Sequence, residues 1–398
     1  MSVPHRPLAG VRVLDLTRLL PGAYATLLMA DLGADVVKVE DPRGGDPARQ
    51  MPPLSGDTSV YYTVLNRNKR SITLDLRSRA SATVLDALLP QFDIVVESFR
   101  PQTSRRLGVD AATIRARHPR IIYASITGFG QNGPYAELPA HDINYESLSG
   151  LLSVRRNPAV APEVPGMLLA DIGAALNGAA GVLAALYQRE KTGMGAAVDV
   201  AIHEAALSWL LFPAARELMA GAEGDPRDLP IHGRDACYNI YETADGLYLA
   251  LGALETKFWS TFCARIGRPE LVALQDALGE RQAAVVAELR ALLRTRTRAA
   301  WLELFANDEV CLTPVNDVAS ALRDPHITAR GAVQRLDGST WVTTPIAITD
   351  TPTDEGWNRA RHVDVVPAPA LGAHTDEVLE AAGIGPDERT RLRSAGVI

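Results

Sequence analysis

The sequence predicts an α/β protein with two domains: a large one on an open, doubly wound parallel sheet and a smaller α+β one. Its 398 residues exceed what one hydrophobic core usually organises, so two domains are the natural expectation. Apolar strand patterns alternate with helical patterns through the first part of the chain, which is typical of a parallel sheet. A stretch rich in Gly, Pro and charge at 221–228 then precedes a hairpin pattern, which favours a second domain.

The first elements are a strand at 11–16 and a helix that Pro21 and Gly22 open and Gly33 closes. Another strand follows at 35–40, and a short helix between two strands implies parallel pairing with a right-handed crossover. The alternation continues with a helix over 81–89, a strand at 93–96, a helix over 111–117 and a strand at 121–126.

The middle of the chain begins with a long loop over 128–166, because Gly, Pro and polar residues dominate there. An Ala-rich helix over 172–189 follows and ends at a glycine stop signal after Lys191. The remaining predicted elements are a strand at 198–201, a helix over 203–218, hairpin strands at 237–241 and 246–250, helices over 256–266, 280–295 and 298–306, and a helical tail over 375–382 and 387–393.

Composition and charge narrow the class of protein. Hydrophobic residues make up 47% and charged residues 22% of the chain, a globular balance, and the net charge of −7 gives no reason to expect nucleic acid. Three cysteines without metal-ligand spacing predict reduced thiols, no metal site and a cytoplasmic location. The apolar stretch 167–187 contains Asp171 and much Ala and Gly, so we expect a buried helix and no membrane span.

One motif resembles a dinucleotide-binding loop. Residues 128–133 fit the pattern G-x-G-x-x-G and follow a predicted strand. Such a loop must lead directly into a helix whose N-terminus meets the pyrophosphate, but Pro134 and Pro139 follow instead. The pattern therefore favours a tight glycine turn over a nicotinamide site.

Three ionisable residues are candidates for chemistry, and each also has a structural alternative. His141 lies in the predicted loop, where an imidazole suits proton transfer but is more often structural. Asp171 precedes the Ala-rich helix, where it is either an N-cap or a held, partly desolvated carboxylate able to act as base or nucleophile. Glu255 follows a predicted strand and either caps the next helix or supports His141.

Basic residues near predicted strand ends are candidate phosphate partners. In an open α/β sheet, ligands collect outside the carboxyl ends of the strands. Solvated surface charge is the alternative for each residue taken alone. The candidates are Lys38, Lys69, Arg100 and Arg106.

Several motifs together resemble family III CoA-transferases (CaiB/BaiF) and the related α-methylacyl-CoA racemases, over nearly the whole chain. The similarity is carried by the opening at 8–15 and by 31–40, Phe99-Arg100-Pro101 and 127–134. It continues in Ala170-Asp171, 189–195, Ala244-Asp245-Gly246 and 312–315.

The resemblance implies a Rossmann-like CoA-binding domain formed by 1–220 and a returning C-terminal segment, 331–398, around a small domain at 221–330. It also implies an interlocked homodimer and an acyl-CoA thioester as the substrate, with no other cofactor. In the transferases, an aspartate at the position of Asp171 attacks the thioester and forms an acyl anhydride. In the racemases, that aspartate and a histidine matching His141 exchange the α-proton, and a glutamate matching Glu255 supports them.

The sequence has all three racemase positions, so we expect an acyl-CoA racemase, with Asp142 and Tyr145 near the CoA chain. The alternative is a family III CoA-transferase, because residues 230–238 lack the stretch that typifies racemases before the small-domain strand. That region also lacks the glycine run of the formyl-CoA transferases. A catalytically silent CoA-ester binder is a third hypothesis, which the pair His141 and Asp171 disfavours, because binding alone needs no acid–base partners.

Overall fold

A parallel sheet of six strands organises the larger part of the chain. The first strand lies inside the sheet, and the chain adds strands first on one side of it and then on the other. The predicted open, doubly wound sheet is therefore confirmed. The structure is a computed structural model that describes residues 6–154, 161–219, 230–336, 339–361 and 365–398. Its first eight strands are β1 (Arg12–Asp15), β2 (Asp35–Glu40), β3 (Leu54–Ser55), β4 (Thr58–Ser59), β5 (Lys69–Thr73), β6 (Ile94–Glu97), β7 (Ile122–Thr127) and β8 (Ala197–Ala201).

The sheet order is β5-β2-β1-β6-β7-β8, with every neighbouring pair parallel. The winding reverses between β1 and β6, where open sheets of this kind form their ligand crevice. The helices along this part of the chain are α1 (Leu19–Asp31), α2 (Val60–Asn66), α3 (Ser81–Leu88), α4 (Pro101–Leu107), α5 (Ala111–Arg117), α6 (Asp142–Leu148), α7 (Leu169–Thr192), α8 (Ile202–Ser208) and α9 (Leu211–Met219).

Helices cover both faces of the sheet because alternate strand residues point to opposite sides. Val13 and Val36 face a core formed with α1 and α7. Leu14 and Val37 face the other core, which α3 and the C-terminal helices complete. The helices of the rest of the chain are α10 (Thr256–Arg265), α11 (Glu280–Leu293), α12 (Arg298–Leu304), α13 (Val318–Ala321), α14 (Pro325–Ala329), α15 (Asp354–Arg361), α16 (Thr375–Ala381) and α17 (Pro386–Ser394). Of these, α16 and α17 contribute to the core around Leu14 and Val37.

The chain separates into two compact units. The first comprises Met1–Leu151, Val164–Trp209 and Pro325–Ile398, and the second comprises Leu152–Glu163 and Leu210–Asp324. The remaining strands are β9 (Tyr238–Glu242), β10 (Tyr248–Gly252), β11 (Leu312–Pro314), β12 (Val333–Leu336) and β13 (Ser339–Val342). The second unit contains the antiparallel sheet β11-β10-β9, packed on buried aromatic residues such as Trp259 and Phe305.

The long helix α7 begins earlier than the pattern predicts, at Leu169. Within the described part of the chain it is the one helix long and apolar enough to cross a membrane, a test that a core helix of a soluble protein also passes. It packs against α1, α8 and the sheet, and a Cβ on Gly178 would lie 2.5 Å from Ile126 Cδ1. The small residues of α7 therefore serve close packing of the helix on β7.

Sequence patterns miss elements whose residues are polar. The strand β5 contains Lys69 and Arg70, and its apolar run is too short to stand out. The predicted loop at 128–166 contains the short helix α6, and the predicted helix over 203–218 is two helices, α8 and α9. The local sequence preference of each of these segments is weak, and tertiary packing decides the structure that it adopts.

Candidate active site

Asp171 lies in the first turn of α7 and is not its N-cap. The N-cap position belongs to Leu168, whose carbonyl accepts the first intrahelical hydrogen bond from Ile172 N–H. The expectation that Asp171 caps the helix is therefore wrong. Its side chain is free of that task, which leaves the carboxylate open to a chemical role.

The start of α7 is capped from another helix. Asp142 Oδ1 accepts a hydrogen bond from Asp171 N–H at 2.9 Å, and Glu146 Oε1 accepts one from Leu169 N–H at 3.1 Å. The first N–H groups of a helix have no intrahelical acceptor, so carboxylates supplied by α6 satisfy them. Two hydrogen bonds thus fix α6 and the beginning of α7 to one another.

The surroundings of Asp171 are acidic. Burial raises the pKa of its carboxyl to about 7, and the neighbouring carboxyls of Asp142 and Glu146 add to the increase. Among the described residues, no ion pair joins any of these three side chains. Asp171 is therefore divided between acid and carboxylate near neutral pH, the condition that suits a general base or acid.

Tyr145 packs beside this acidic group. Burial, followed by the charges of Asp171 and Asp142, raises the pKa of its hydroxyl to about 12, so it is a neutral donor at pH 7. A Cβ on Gly128 would lie 2.4 Å from the Tyr145 Oη, which explains the first glycine of the loop motif. Residues 128–141 are all described, and no helix begins among them. The glycine motif therefore does not lead into a helix, which a dinucleotide-binding loop would need.

His141 occupies the N-cap position of α6, directly before Asp142. Its backbone N–H donates to Asn144 Oδ1 at 3.0 Å, and the residue is exposed. Since α6 packs against α7, the chain brings His141 and Asp171 to neighbouring helix starts. The predicted pair thus belongs to one region of the first unit.

Glu255 belongs to the second unit. It occupies the N-cap position of α10, but its side chain makes no capping hydrogen bond and is exposed. Its backbone carbonyl accepts hydrogen bonds from Phe258 and Trp259 N–H groups. The Glu255 carboxylate therefore does not cap the helix. Its support of His141 stays a prediction.

A polar cavity of about 190 Å³ opens at the carboxyl ends of β1, β2 and β6, near the reversal of the sheet. Lys38 and Arg106, both predicted phosphate partners, line it. Arg18 and Arg77 line it as well, although sequence reasoning does not single them out. Their position in the sequence could have identified them, because each arginine follows shortly after the end of a sheet strand.

The two predicted lysines are held by internal acceptors. Lys38 Nζ pairs with Asp46 at 2.8 Å and donates to Thr17 O at 2.9 Å. Lys69 does not line the cavity, and its fully buried ammonium is within hydrogen-bonding distance of four acceptors: Asp15, Thr26 and Asn66 side chains and the Ala23 carbonyl. A phosphate contact by Lys69 stays a prediction that this geometry does not favour, since an ammonium has three N–H groups.

Arg100 lies outside the cavity lining and donates to the Glu137 carbonyl at 3.1 Å. Among the described residues, no group of three or more His, Cys, Asp or Glu side chains is placed to hold a metal ion. The three cysteines are free.

Known proteins resemble this chain along nearly all of its length. The model of CoA-transferase family III matches residues 8–375. The chain belongs to this family. Human succinyl-CoA:glutarate CoA-transferase is 30% identical over 99% of this chain and 90% of its own length. Human alpha-methylacyl-CoA racemase is 30% identical over 98% of this chain and 97% of its own length.

A solved structure agrees with the family assignment. The crystal structure of a CAIB/BAIF family protein from Brucella suis has a TM-score of 0.80 at 30% identity, covering 94% of this chain and 99% of that one. The family recognised from the sequence motifs is thus confirmed, and with it an enzyme class that uses acyl-CoA thioesters. Relatives of equal similarity carry the names of both a transferase and a racemase, so the family alone does not choose between the two reactions.

Proposed function

We propose that this family III enzyme is an acyl-CoA racemase or epimerase that inverts the α-carbon of a 2-methylacyl-CoA. The observation that carries the proposal is the buried setting of Asp171 beside two other carboxyls, which raises the pKa of its own carboxyl to about 7. A base works best when its pKa lies near the operating pH. An acid–base catalyst uses both its ionised and its protonated form, whereas a carboxylate nucleophile attacks only in its ionised form.

The reaction is a two-base proton transfer. The Asp171 carboxylate removes the α-proton, and the electron pair of the C–H bond moves into the thioester as an enolate. Protonated His141 then delivers its proton to the opposite face of the α-carbon. The net change is inversion at carbon, with one proton gained by Asp171 and one lost by His141, and the reverse direction restores both.

The CoA part of the substrate is assigned to the first unit. Arg18 and Arg106 line the cavity beyond the strand ends, and neither guanidinium forms an ion pair among the described residues. Lys38 lies in the same lining, paired with Asp46. Ligands of open α/β sheets bind at such strand ends. Asp142 and Tyr145 are proposed to lie along the CoA chain between this cavity and Asp171. Coenzyme A is then part of the substrate, and no separate cofactor is required.

The assembly is proposed to be an interlocked homodimer in the cytoplasm, with no nucleic-acid or membrane partner. Glu255 is then the residue of the second unit that supports His141. The exposed, uncapped carboxylate of Glu255 is consistent with that assignment.

A second candidate function is that of a family III CoA-transferase. It is favoured by the similarity to CoA-transferases, among them the human succinyl-CoA:glutarate CoA-transferase. In that reaction Asp171 attacks the thioester carbonyl, releases the CoA thiolate and forms an acyl anhydride. The thiolate then attacks the Asp171 carbonyl of the anhydride, releases the first acid and leaves CoA as a thioester on Asp171. The carboxylate of the second acid attacks this thioester, releases the thiolate and forms a second anhydride. Attack of the thiolate on the acyl carbonyl of that anhydride gives the new acyl-CoA and frees Asp171.

The deciding experiment is incubation of the enzyme with a chiral 2-methylacyl-CoA in deuterated water. The racemase proposal predicts deuterium at the α-carbon together with loss of optical purity. Asp171→Asn and His141→Ala should each lower the exchange rate by about 10²- to 10⁴-fold, the usual contribution of a general acid or base.

Other outcomes select the alternatives. CoA transfer to an added carboxylic acid, without deuterium at the α-carbon, overturns the racemase and supports the transferase. In that case hydroxylamine should trap an acyl group on Asp171, and His141→Ala should have a milder effect. Binding of the CoA ester with neither reaction indicates a silent binder.

A further inference from the structure

Glu146 is a fully buried acidic residue that none of the proposed chemical steps uses. It is 0% exposed, and its Oε1 accepts the hydrogen bond from Leu169 N–H, two residues before Asp171. Its other oxygen, Oε2, is buried without a hydrogen-bond donor among the described residues. A buried polar atom left in this way costs free energy unless something satisfies it.

A second carboxyl, that of Asp142, neighbours Glu146 on the same helix. Asp142 lies one helical turn earlier on α6, and the two carboxyl groups are within hydrogen-bonding reach. Two ionised carboxylates only accept hydrogen bonds, so the contact requires one proton. Glu146 Oε2 is buried without a donor among the described residues, so a proton on this oxygen is the arrangement that satisfies it. Burial first, and then the hydrogen bond and charge of Asp142, raise the pKa of Glu146 in the same sense.

We infer that Glu146, as a neutral carboxylic acid, is a positioning residue for Asp171. Its hydroxyl donates to Asp142, and its carbonyl oxygen accepts the Leu169 N–H. Asp142 in turn accepts the Asp171 N–H, so one shared proton links α6 to the residue that performs the chemistry. The inference rests on the proposed function, because it assigns Glu146 a task only if Asp171 is the reacting group.

A neutral Glu146 also fits the charge of the site. Ionised, it would add a further negative charge beside Asp142 and Asp171, where the described residues supply no paired cation. As an acid it satisfies its own buried oxygen and keeps the position of Asp142. The side chain is thus useful for its geometry and its proton rather than for its charge.

The test uses Glu146→Gln and Glu146→Ala in the full-length enzyme, with Glu190→Ala as the matched control at an exposed position of α7. Glutamine reproduces the protonated acid, because its amide oxygen can accept from Leu169 and its NH₂ group can donate to Asp142. We expect kcat for α-proton exchange to stay within about threefold of wild type in Glu146→Gln and to fall about 10- to 100-fold in Glu146→Ala. KM should change little in either variant.

Each contrary result is informative. Unchanged kcat in Glu146→Ala would overturn the positioning role, and an equal loss in Glu146→Gln and Glu146→Ala would show that the negative charge matters. Glu146→Asp covers the case of an alanine variant that does not fold. Its acid is one methylene too short to reach both partners, so kcat should fall, and a kcat equal to wild type would count against the inference.

A wild-type enzyme without exchange would contradict the proposed function. Wild-type exchange combined with an unaltered Glu146→Ala contradicts this inference alone.

Discussion

Two buried groups of charged residues in the first unit respond to burial in opposite ways. The paired cluster, at the ends of the first strands, consists of Asp15, Lys38, Asp46 and Lys69. The acidic cluster, at the start of α7, consists of Asp142, Glu146 and Asp171. Both contain carboxyls removed from water, but only the first contains cations.

The pKa values follow that difference. Burial raises the pKa of Asp15, but Lys38 and Lys69 outweigh it and lower the value to about 2. Burial raises the pKa of Asp171 to about 7, and its neighbours push in the same direction. A carboxyl with buried cationic partners is fixed in one ionisation state and stabilises the fold, whereas one without them can exchange a proton.

The largest effect on stability is expected in the paired cluster. Asp15→Ala should lower the free energy of unfolding by about 3–5 kcal/mol, because it leaves the Lys69 ammonium buried without its counter-charge. Denaturant unfolding measures the change. Glu388→Gln, which removes an exposed pair with Arg391, is the control and should leave the free energy of unfolding nearly unchanged. If Asp15→Ala lowered the free energy of unfolding no more than the control does, the structural role of the paired cluster would be contradicted.

The opposite sign is expected in the acidic cluster. The pKa of Asp171 rises from 3.8 to about 7 on folding, so the folded protein binds more protons than the unfolded chain in this window. Stability contributed by the protonated form is therefore lost as the pH rises from 4 towards 7. Asp171→Asn, which cannot ionise, should be about 1–3 kcal/mol more stable than wild type at about pH 8, as denaturant unfolding would show. Equal stability at that pH would contradict the account.

The sequence predicts the two groups unequally. The alternation of strands and helices and the family motifs identify the sheet, the strand ends and Asp171 itself. The partners of Asp171 are harder to predict, because Asp142 and Glu146 are 29 and 23 residues away from the N–H groups that they bond. The N-cap alternative for Asp171 fails for the same reason, since local sequence does not show that the capping carboxylates come from another helix.

Lys69 shows what the sequence pattern leaves out in the paired cluster. A lysine near a strand end is a reasonable phosphate partner from sequence, but it is enclosed because Asp15, Thr26 and Asn66 meet around it in the folded chain. Three-dimensional packing alone distinguishes it from Arg106, which lines the cavity. The spacing of Asp142 and Glu146 on one helix is the single local signal that points to the acidic cluster.

The central claim is that Asp171 exchanges its proton near neutral pH because its carboxyl is buried, beside the carboxyls of Asp142 and Glu146, without a paired cation among the described residues. Infrared difference spectra between wild type and Asp171→Asn, recorded across the pH range, follow the C=O stretch of the protonated Asp171 carboxyl directly. The account predicts a band that disappears with a midpoint at about pH 7. A midpoint near the ordinary value of 3.8 would contradict it.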